Sequence, residues 1–460
     1  MPTAPNTRSK GEQFERKIDF ATTGLQPFIH RDLTENVSPK NAQTIAEYIL
    51  AMKTETNLSD NYRSTIIRIL STLSKFHNNK HFSVLTRDDI ISYLDSLRKV
   101  DVSDPLHKWI GTYNLRRTLF LAFFKWLYYP NDPLRARKTP LVMQTVTILK
   151  RKDQPIYKPT DLWTQEDDSL FLKYCPIKRM KCYHMVSRDS SCRPHEILEL
   201  MIKDIVFKIT HDKKQYAEIL VNWKTGSRRI PLINSIPYVK DYLDHEHPQP
   251  GNPNAPFVCG LGKSLGKSIG VFSLYVIYDR YKEEHFPKLL DNPSVVPEDK
   301  QKIKELLKKP WNPYIRRHSA LTEKSLNPKM AHVLNQHAGW VQGSTMAQKY
   351  THYFGDESSV SILEAYGIIQ KDKQLSDTLK PKQCPNCNEP NKPGSRFCAK
   401  CRMVLTYDAY NETVEQKEQK DKQLEELIQK QTRFEQLLQS LIDSGQLKPN
   451  INSTIRHIVQ

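Results

Sequence analysis

The chain has 460 residues and a formal net charge of +18, from Lys+Arg 69 against Asp+Glu 51, with a pI of about 9.3. That length exceeds one ordinary domain, so two or more domains with separate cores are expected, and the charge favours a polyanionic partner, double-stranded DNA ahead of a membrane surface. No apolar run approaches a membrane span and the opening MPTAPNTRSKGEQ has no apolar signal core, which argues against membrane insertion and for a cytoplasmic, DNA-associated protein.

Residues 1–38 are polar, basic and weakly patterned, and read as a flexible arm. From 39 to 138 apolar residues recur at helical spacing: Ile45, Tyr48, Ile49 and Met52; Tyr62, Ile66, Ile69, Leu70 and Leu73; Ile90, Ile91, Leu94 and Leu97; Leu115, Leu119, Phe123, Trp126 and Leu127. Four such stripes predict a small helical bundle, with Ser59 and Thr86 as caps and Pro105 and Pro130 bracketing the last helix. Arg63, Arg68, Lys75, Arg116 and Arg117 suit either a DNA-facing surface or an ordinary solvated one. Residues 139–161, with prolines at both ends and a Lys150, Arg151, Lys152 cluster, read as a basic linker, and Trp163 opens a second domain expected to span 162–370.

In that domain SSCRPHEILELMIKDI puts Pro194 in the first turn of a helix whose stripe is Ile197, Leu198, Met201 and Ile205. Arg193 stands just outside the start, where an arginine neither caps the amides nor suits the positive end of the helix dipole. A bound phosphate would explain it, and Glu196 one turn on is placed to orient it. YAEILVNWKTGSRRIPLI then reads as a β-hairpin with a turn at Thr225 and Gly226 and Lys224 at its tip, where a solvated lysine is the ordinary case. Residues 235–310 carry a stripe of Val271, Leu274, Ile277, Tyr278 and Tyr281 and a charged surface helix from Glu298 to Lys309.

The stretch Trp311–Phe354 gathers the least ordinary residues. Asn312 and Pro313 start a helix bearing Tyr314, Arg317 and Leu321 on one face. A second helix runs from about Pro328 to Gly339, before Trp340, and Ser344 caps a third with Met346, Ala347 and Tyr350 on one face. Taken singly, Tyr350 reads as a core tyrosine, Arg317 as a helix-end ion pair and Trp340 as an apolar plug.

Eight cysteines fall into two groups. Cys175, Cys182, Cys192 and Cys259 lack metal-ligand spacing and read as free thiols. Cys384, Cys387, Cys398 and Cys401 form two C-x-x-C knuckles, the pattern of a four-thiolate structural zinc ribbon over 371–408, with disulfides as the alternative. Lys392, Arg396, Lys400 and Arg402 leave open whether the ribbon touches DNA or docks protein. Residues 409–446 read as one helix with a short heptad seam of Leu424, Leu427, Gln431, Phe434, Leu438 and Leu441, followed by a tail at 447–460.

The order R-P-H-E-I-L-E-L, K-T-G-S-R-R-I-P-L, R-H-S, A-G-W and Y-T-H resembles the signature of the tyrosine recombinase and integrase family over about residues 40–365. The tryptophan at 340, where other branches have histidine, and the ribbon look like the archaeal type of integrase. The resemblance implies a mainly α fold with a small β-hairpin or sheet, in which a helical core-binding domain and a catalytic domain clamp DNA. It also implies a site-specific recombinase that cuts and rejoins DNA through a 3′-phosphotyrosyl link without ATP or catalytic metal, acting as a dimer to tetramer. Tyr350, rather than Tyr353, is then the nucleophile, Arg193 and Arg317 grip the phosphate, Lys224 protonates the leaving 5′ oxygen, and Trp340 supports the phosphate or the site. Tyr314 departs from the family's histidine or lysine and keeps only a supporting hydrogen bond. A type IB topoisomerase and a catalytically silent DNA-binding regulator are the alternative expectations.

Overall fold

The computed structural model describes residues 10–100, 103–104, 107–150, 157–223, 226–326, 330, 333–341, 343–344, 346–351 and 377–444. Two compact units divide the chain at 154/155, inside the basic stretch read as a linker, and each has its own apolar core.

The first unit contains α1 (Lys10–Thr22), α2 (Pro27–Glu35), α3 (Pro39–Glu55), α4 (Asp60–Phe76), α5 (Arg87–Asp95), α6 (Trp109–Tyr128) and α7 (Leu141–Gln144). Helices α4 and α5 begin where side chains satisfy their first amides: Ser59 accepts from the Tyr62 amide, and Thr86 and Asp89 form a reciprocal capping box. The stripe of α3 meets aromatic residues of α6, with Tyr48 edge-on to Phe123 at 5.2 Å. Each such edge-to-face pair contributes about 0.5–1.5 kcal/mol beyond the area it buries. A buried Asn41 ties α3 to α4 and the following loop, donating to Ser74 Oγ at 2.7 Å and to the Lys80 carbonyl at 2.9 Å. Tyr62 and Leu115, expected on the inward stripes, are exposed.

Three expectations for this unit are corrected. Residues 10–35 are not a flexible arm, because α1 and α2 bury Ile18, Ala21, Ile29 and Leu33 in the core. The apolar stripe is narrow and lies in a polar background, so composition hid it. Arg63 is buried and donates to the Thr23 carbonyl at 2.6 Å, Arg116 binds the Tyr93 hydroxyl, Arg117 donates to the Val146 carbonyl at 2.8 Å and Lys75 pairs with Asp32; of the five basic residues only Arg68 stands exposed without such a partner among the described residues. The start of the linker is also fixed, since Val142, Met143 and Val146 join the core and Leu149 exchanges two hydrogen bonds with Asn114, each 2.9 Å. Arg151 and Lys152 lie outside the described residues.

The second unit runs through α8 (Gln165–Tyr174), α9 (Lys178–Ser190), α10 (Pro194–Leu198), β1 (Ile205–Ile209), β2 (Gln215–Trp223), β3 (Gly226–Leu232), α11 (Ile236–His245), α12 (Val271–Arg280), α13 (Phe286–Asp291), α14 (Pro297–Lys308), α15 (Pro313–Leu326), α16 (Leu334–Ala338) and α17 (Met346–Thr351). The three strands form one antiparallel sheet in chain order, and Trp223 is the register partner of Gly226. Lys224 and Thr225, between these two partners in the sequence, lie outside the described residues. The helix after Pro194 is shorter than expected. It stops at Leu198 because Leu200 accepts from the Phe257 amide at 2.8 Å and Ile202 donates to the Ala255 carbonyl at 3.1 Å; that pairing holds the chain extended, so Met201 is exposed and Ile205 opens β1.

The core of this unit centres on Trp163, Phe171, Phe286 and Trp311, and beside them lies a buried charge cluster. Asp168 accepts from Arg316, Arg188 and His184, and Arg188 also binds Glu323. Burial and the neighbouring Arg188 push His184 down to about 3, so the imidazole is neutral.

Beyond residue 376, β4 (Lys382–Gln383) and β5 (Pro390–Asn391) form a small ladder, and α18 (Tyr407–Asp443) starts from Thr406, whose hydroxyl accepts from the Ala409 amide. Glu389 binds Lys240, Lys392 binds Asp241 and stands over the Tyr238 ring at 5.2 Å, and Leu379 packs with Leu172, Met185 and Tyr238. Along α18 the seam residues Leu424, Leu427, Phe434 and Leu438 are exposed.

Candidate active site

α9 ends at Ser191 in the left-handed conformation (φ 52°), and the turn sets Arg193 at the start of α10. Glu196 holds it there: its Oε2 accepts from the Arg193 amide at 2.7 Å and its Oε1 from Arg193 Nη1 at 3.2 Å. The same carboxylate accepts from Arg228 Nη2 at 3.0 Å. Burial alone pushes the Glu196 carboxyl up, but the bonds from Arg228 and Arg193 outweigh it and keep the group below the usual carboxylate range.

α15 starts where Asn312 Oδ1 accepts from the Ile315 amide at 3.0 Å. Its adjacent arginines point about 100° apart, as helical geometry requires. Arg316 enters the Asp168 cluster and lies 3.9 Å over the Trp163 ring. Arg317 turns the other way, donating to the Ser191 carbonyl at 2.5 Å and the Ala338 carbonyl at 2.9 Å, with the Trp340 ring 5.8 Å away. Burial and the neighbouring charge of Arg193 push Arg317 down to about 10. It remains a cation at neutral pH, held beside a second cation, and among the described residues its side-chain bonds go to backbone carbonyls and to no carboxylate.

α16 ends at Gly339 with φ 67°, which suits glycine, and the Arg228 guanidinium packs on the same residue so closely that a Cβ would come within 2.6 Å of Nη1. Trp340 follows, and α17 brings Tyr350 back against it. The Trp340, Tyr350 and His318 rings form a stack, with Tyr350 5.4 Å from the indole at 25° and 5.7 Å from the imidazole at 27°. Tyr350 is 6 % exposed, and its hydroxyl lies 3.2 Å from His318 Nδ1. Tyr157 meets His318 edge-on at 4.9 Å. Burial, with Arg317 adding to it, pushes His318 down to about 4, so this imidazole is neutral.

Of the residues singled out in the sequence, Arg193, Glu196, Arg317, Trp340 and Tyr350 come together. Tyr314 is half-buried on α15 and makes no hydrogen bond among the described residues. Lys224 and Tyr353 lie outside those residues. Met346, expected on the inward face with Tyr350, is exposed. Three residues that the sequence did not single out complete the surroundings: His318, Arg228, and Lys324, whose ammonium donates to the Arg188 carbonyl at 2.9 Å and Ser191 Oγ at 3.1 Å. His318 and Arg228 sit inside the quoted R-H-S and K-T-G-S-R-R runs, so the available signal was adjacency to the chosen residues.

Cys384, Cys387, Cys398 and Cys401 place their sulfurs within 4.8 Å of one another, with 3.5 Å between Cys384 and Cys401 and 3.6 Å between Cys387 and Cys398. Thiolates at metal–sulfur distances of about 2.3 Å in a tetrahedron stand roughly 3.8 Å apart. The four thiols therefore fit a single metal ion, and the distances exclude the sulfur–sulfur bonds of the disulfide alternative. Cys175, Cys182, Cys192 and Cys259 are buried and unbridged, as expected.

No family profile and no curated protein matches the chain. Among solved structures, it is similar to XerH site-specific recombinase bound to palindromic difH substrate in a post-cleavage complex, at 14% identity and TM-score 0.47, covering 77% of this chain and 95% of that one. The Tn1549 transposon integrase in complex with transposon right end DNA aligns at 14% identity and TM-score 0.45, covering 71% and 99%. A lambda integrase dimer bound to a COC′ core site aligns at 9% identity and TM-score 0.45, covering 75% and 87%, so the solved structures this chain is similar to include site-specific recombinases and integrases.

Proposed function

We propose that this chain is a tyrosine recombinase that cuts and rejoins double-stranded DNA at specific sites through a 3′-phosphotyrosyl intermediate. The observation that carries the reading is the composition of the site: a buried tyrosine, the guanidiniums of Arg193 and Arg228 on the single carboxylate of Glu196, and Arg317 bonded, among the described residues, only to backbone carbonyls. Such a surplus of fixed positive charge suits a ligand that brings negative charge, and planar guanidinium matches a phosphodiester better than ammonium does. Arg193 and Arg317 bind the nonbridging oxygens, with Glu196 fixing Arg193. Tyr350 attacks phosphorus, its oxygen–phosphorus bond forming as the bond to the 5′ oxygen breaks. Lys224 at the hairpin tip supplies the proton to the leaving oxygen. The Trp340 indole backs the tyrosine ring and offers its N–H toward the phosphate, and the Tyr314 hydroxyl, which has no hydrogen bond among the described residues, is left to give the bound DNA a supporting one. The bond energy is kept in the phosphotyrosine, so rejoining asks for neither ATP nor a catalytic metal.

The four cysteines hold a structural zinc ion in a reducing compartment, and the ribbon they fold sets the direction of α18. With Leu424 at a heptad a position, Lys430 and Glu435 fall at g and e, where a parallel second copy brings them together. Strand exchange between two duplexes needs four active sites, so protomers associate as dimers and tetramers on DNA, and α18 contributes to that assembly once DNA has raised their effective concentration.

A nicked suicide substrate tests the chemistry. The wild-type chain should form a covalent complex that Tyr350→Phe abolishes while DNA binding survives; a phosphotyrosine mapped to Tyr353, or no covalent complex, overturns the assignment. Relaxation of supercoiled DNA without a fixed site would favour the topoisomerase alternative.

A further inference from the structure

We propose that His318 is the group that takes the proton from Tyr350 during strand cleavage, a role that rests on the recombinase reading above. The residue three before Arg317, where the family carries histidine or lysine, is Tyr314, whose side chain offers a hydroxyl and no basic nitrogen. One turn further along the same helix, His318 presents Nδ1 3.2 Å from the Tyr350 hydroxyl. The rings are near-parallel at 27° and 5.7 Å, and Trp340 closes the other face of the phenol at 5.4 Å, so the tyrosine is confined with its oxygen beside the imidazole. Tyr157, itself bonded to Asn312 Oδ1 at 3.3 Å, also packs edge-on against the His318 ring.

The proton balance closes within this chain and its substrate. The phenol donates to Nδ1, which requires the His318 proton to sit on Nε2. As the Tyr350 oxygen bonds to phosphorus the proton passes to Nδ1, the bond to the 5′ oxygen breaks, and that oxygen takes its proton from Lys224. In rejoining, the 5′ hydroxyl attacks, its proton returns to Lys224, and His318 gives its own back to the departing phenolate. Burial and Arg317 keep the free imidazole neutral, which is the state a proton acceptor must start from. A phosphodiester bound by Arg193 and Arg317 brings a negative charge that offsets Arg317 and raises the basicity of the ring when the step occurs.

Full-length protein carrying His318→Asn keeps a hydrogen-bond acceptor near the position of Nδ1 but removes the basic nitrogen, and His318→Ala removes both. Single-turnover cleavage of the suicide substrate should fall by about 10²–10⁴-fold in both variants, the usual share of a general base. Two further arms separate proton transfer from positioning. Fluorotyrosine placed at 350 has a more acidic phenol and should restore much of the lost rate in His318→Asn. A 5′-thio leaving group, which needs little protonation, should rescue Lys224→Ala and leave His318→Asn slow. Near wild-type cleavage by His318→Asn, or no gain from fluorotyrosine in a variant that binds DNA and melts like the wild type, overturns the proposal. Covalent complex formation by the unsubstituted chain is read in the same experiment, so failure of the recombinase reading is distinguishable from failure of this one.

Discussion

Two clusters of arginine lie back to back in the second unit, and they differ in one respect that separates structure from chemistry. Around Asp168, Arg188 and Arg316 face two carboxylates, Asp168 and Glu323, with a neutral His184 alongside. In the site of Tyr350, among the described residues, Arg193 and Arg228 pair with Glu196 alone and Arg317 bonds only the Ser191 and Ala338 carbonyls. The first cluster is balanced and buried, and its cost of desolvation is recovered only while every partner is present. The second carries uncompensated positive charge, which lowers the stability of the empty protein and prepares a place for an anion. Neighbouring residues of one helix, Arg316 and Arg317, serve these opposite ends because they point to different sides.

The largest expected contrast comes from Arg317→Ala. Suicide-substrate cleavage should fall by about 10²–10³-fold or more, as for loss of a preorganised donor to the transition state, while thermal stability stays level or rises. A loss of stability comparable to that of the Asp168 cluster would show that Arg317 is a structural residue. The second contrast is Asp168→Asn, which leaves two buried guanidiniums short of a partner and should cost about 3–5 kcal/mol in denaturant unfolding, with cleavage per folded molecule unchanged. Chelation of zinc, or Cys384→Ser, should loosen the ribbon, spare cleavage of a single site and impair recombination between two; loss of both activities would place the ribbon in catalysis. The smallest effect is at Lys324. Its stem is half-exposed, but its enclosed ammonium is pushed down to about 8 by burial, below the roughly 10.4 of an unfolded lysine. Below pH 8 the charge is buried at full cost, and between about 8 and 10.4 the folded state sheds a proton that the unfolded state keeps, so stability should rise with pH in that window. After allowance for solvent screening the rise is roughly 1 kcal/mol, and Lys324→Met should flatten it in melting curves at pH 7.5 and 9.5.

Much of this arrangement was legible because the chain marks its helix ends. Asn312, Ser59, Thr86 and Gly339 act where the sequence placed them, and the arginine at a helix start, a poor local choice, led to the site. What was not legible depends on long-range partners. Nothing local shows that residues 200–202 will pair with 255–257 and end α10 early, or that the Thr23 carbonyl will claim Arg63. His318 was hidden because its meaning comes from Tyr350, 32 residues away, and Arg228 because it is fixed by Glu196 and Gly339.

α18 has 37 residues, so its far end stands about 55 Å from the ribbon at 1.5 Å per residue. One turn of duplex DNA advances roughly 34–36 Å. On the proposed recombinase reading, a rod whose ribbon is tied to the second unit by Glu389 and Lys392 out-reaches a helical turn of duplex DNA. Its apolar stripe is concentrated in the distal half, from Leu424 onward, so on the proposed reading any pairing with a second copy falls at the far end of this lever arm.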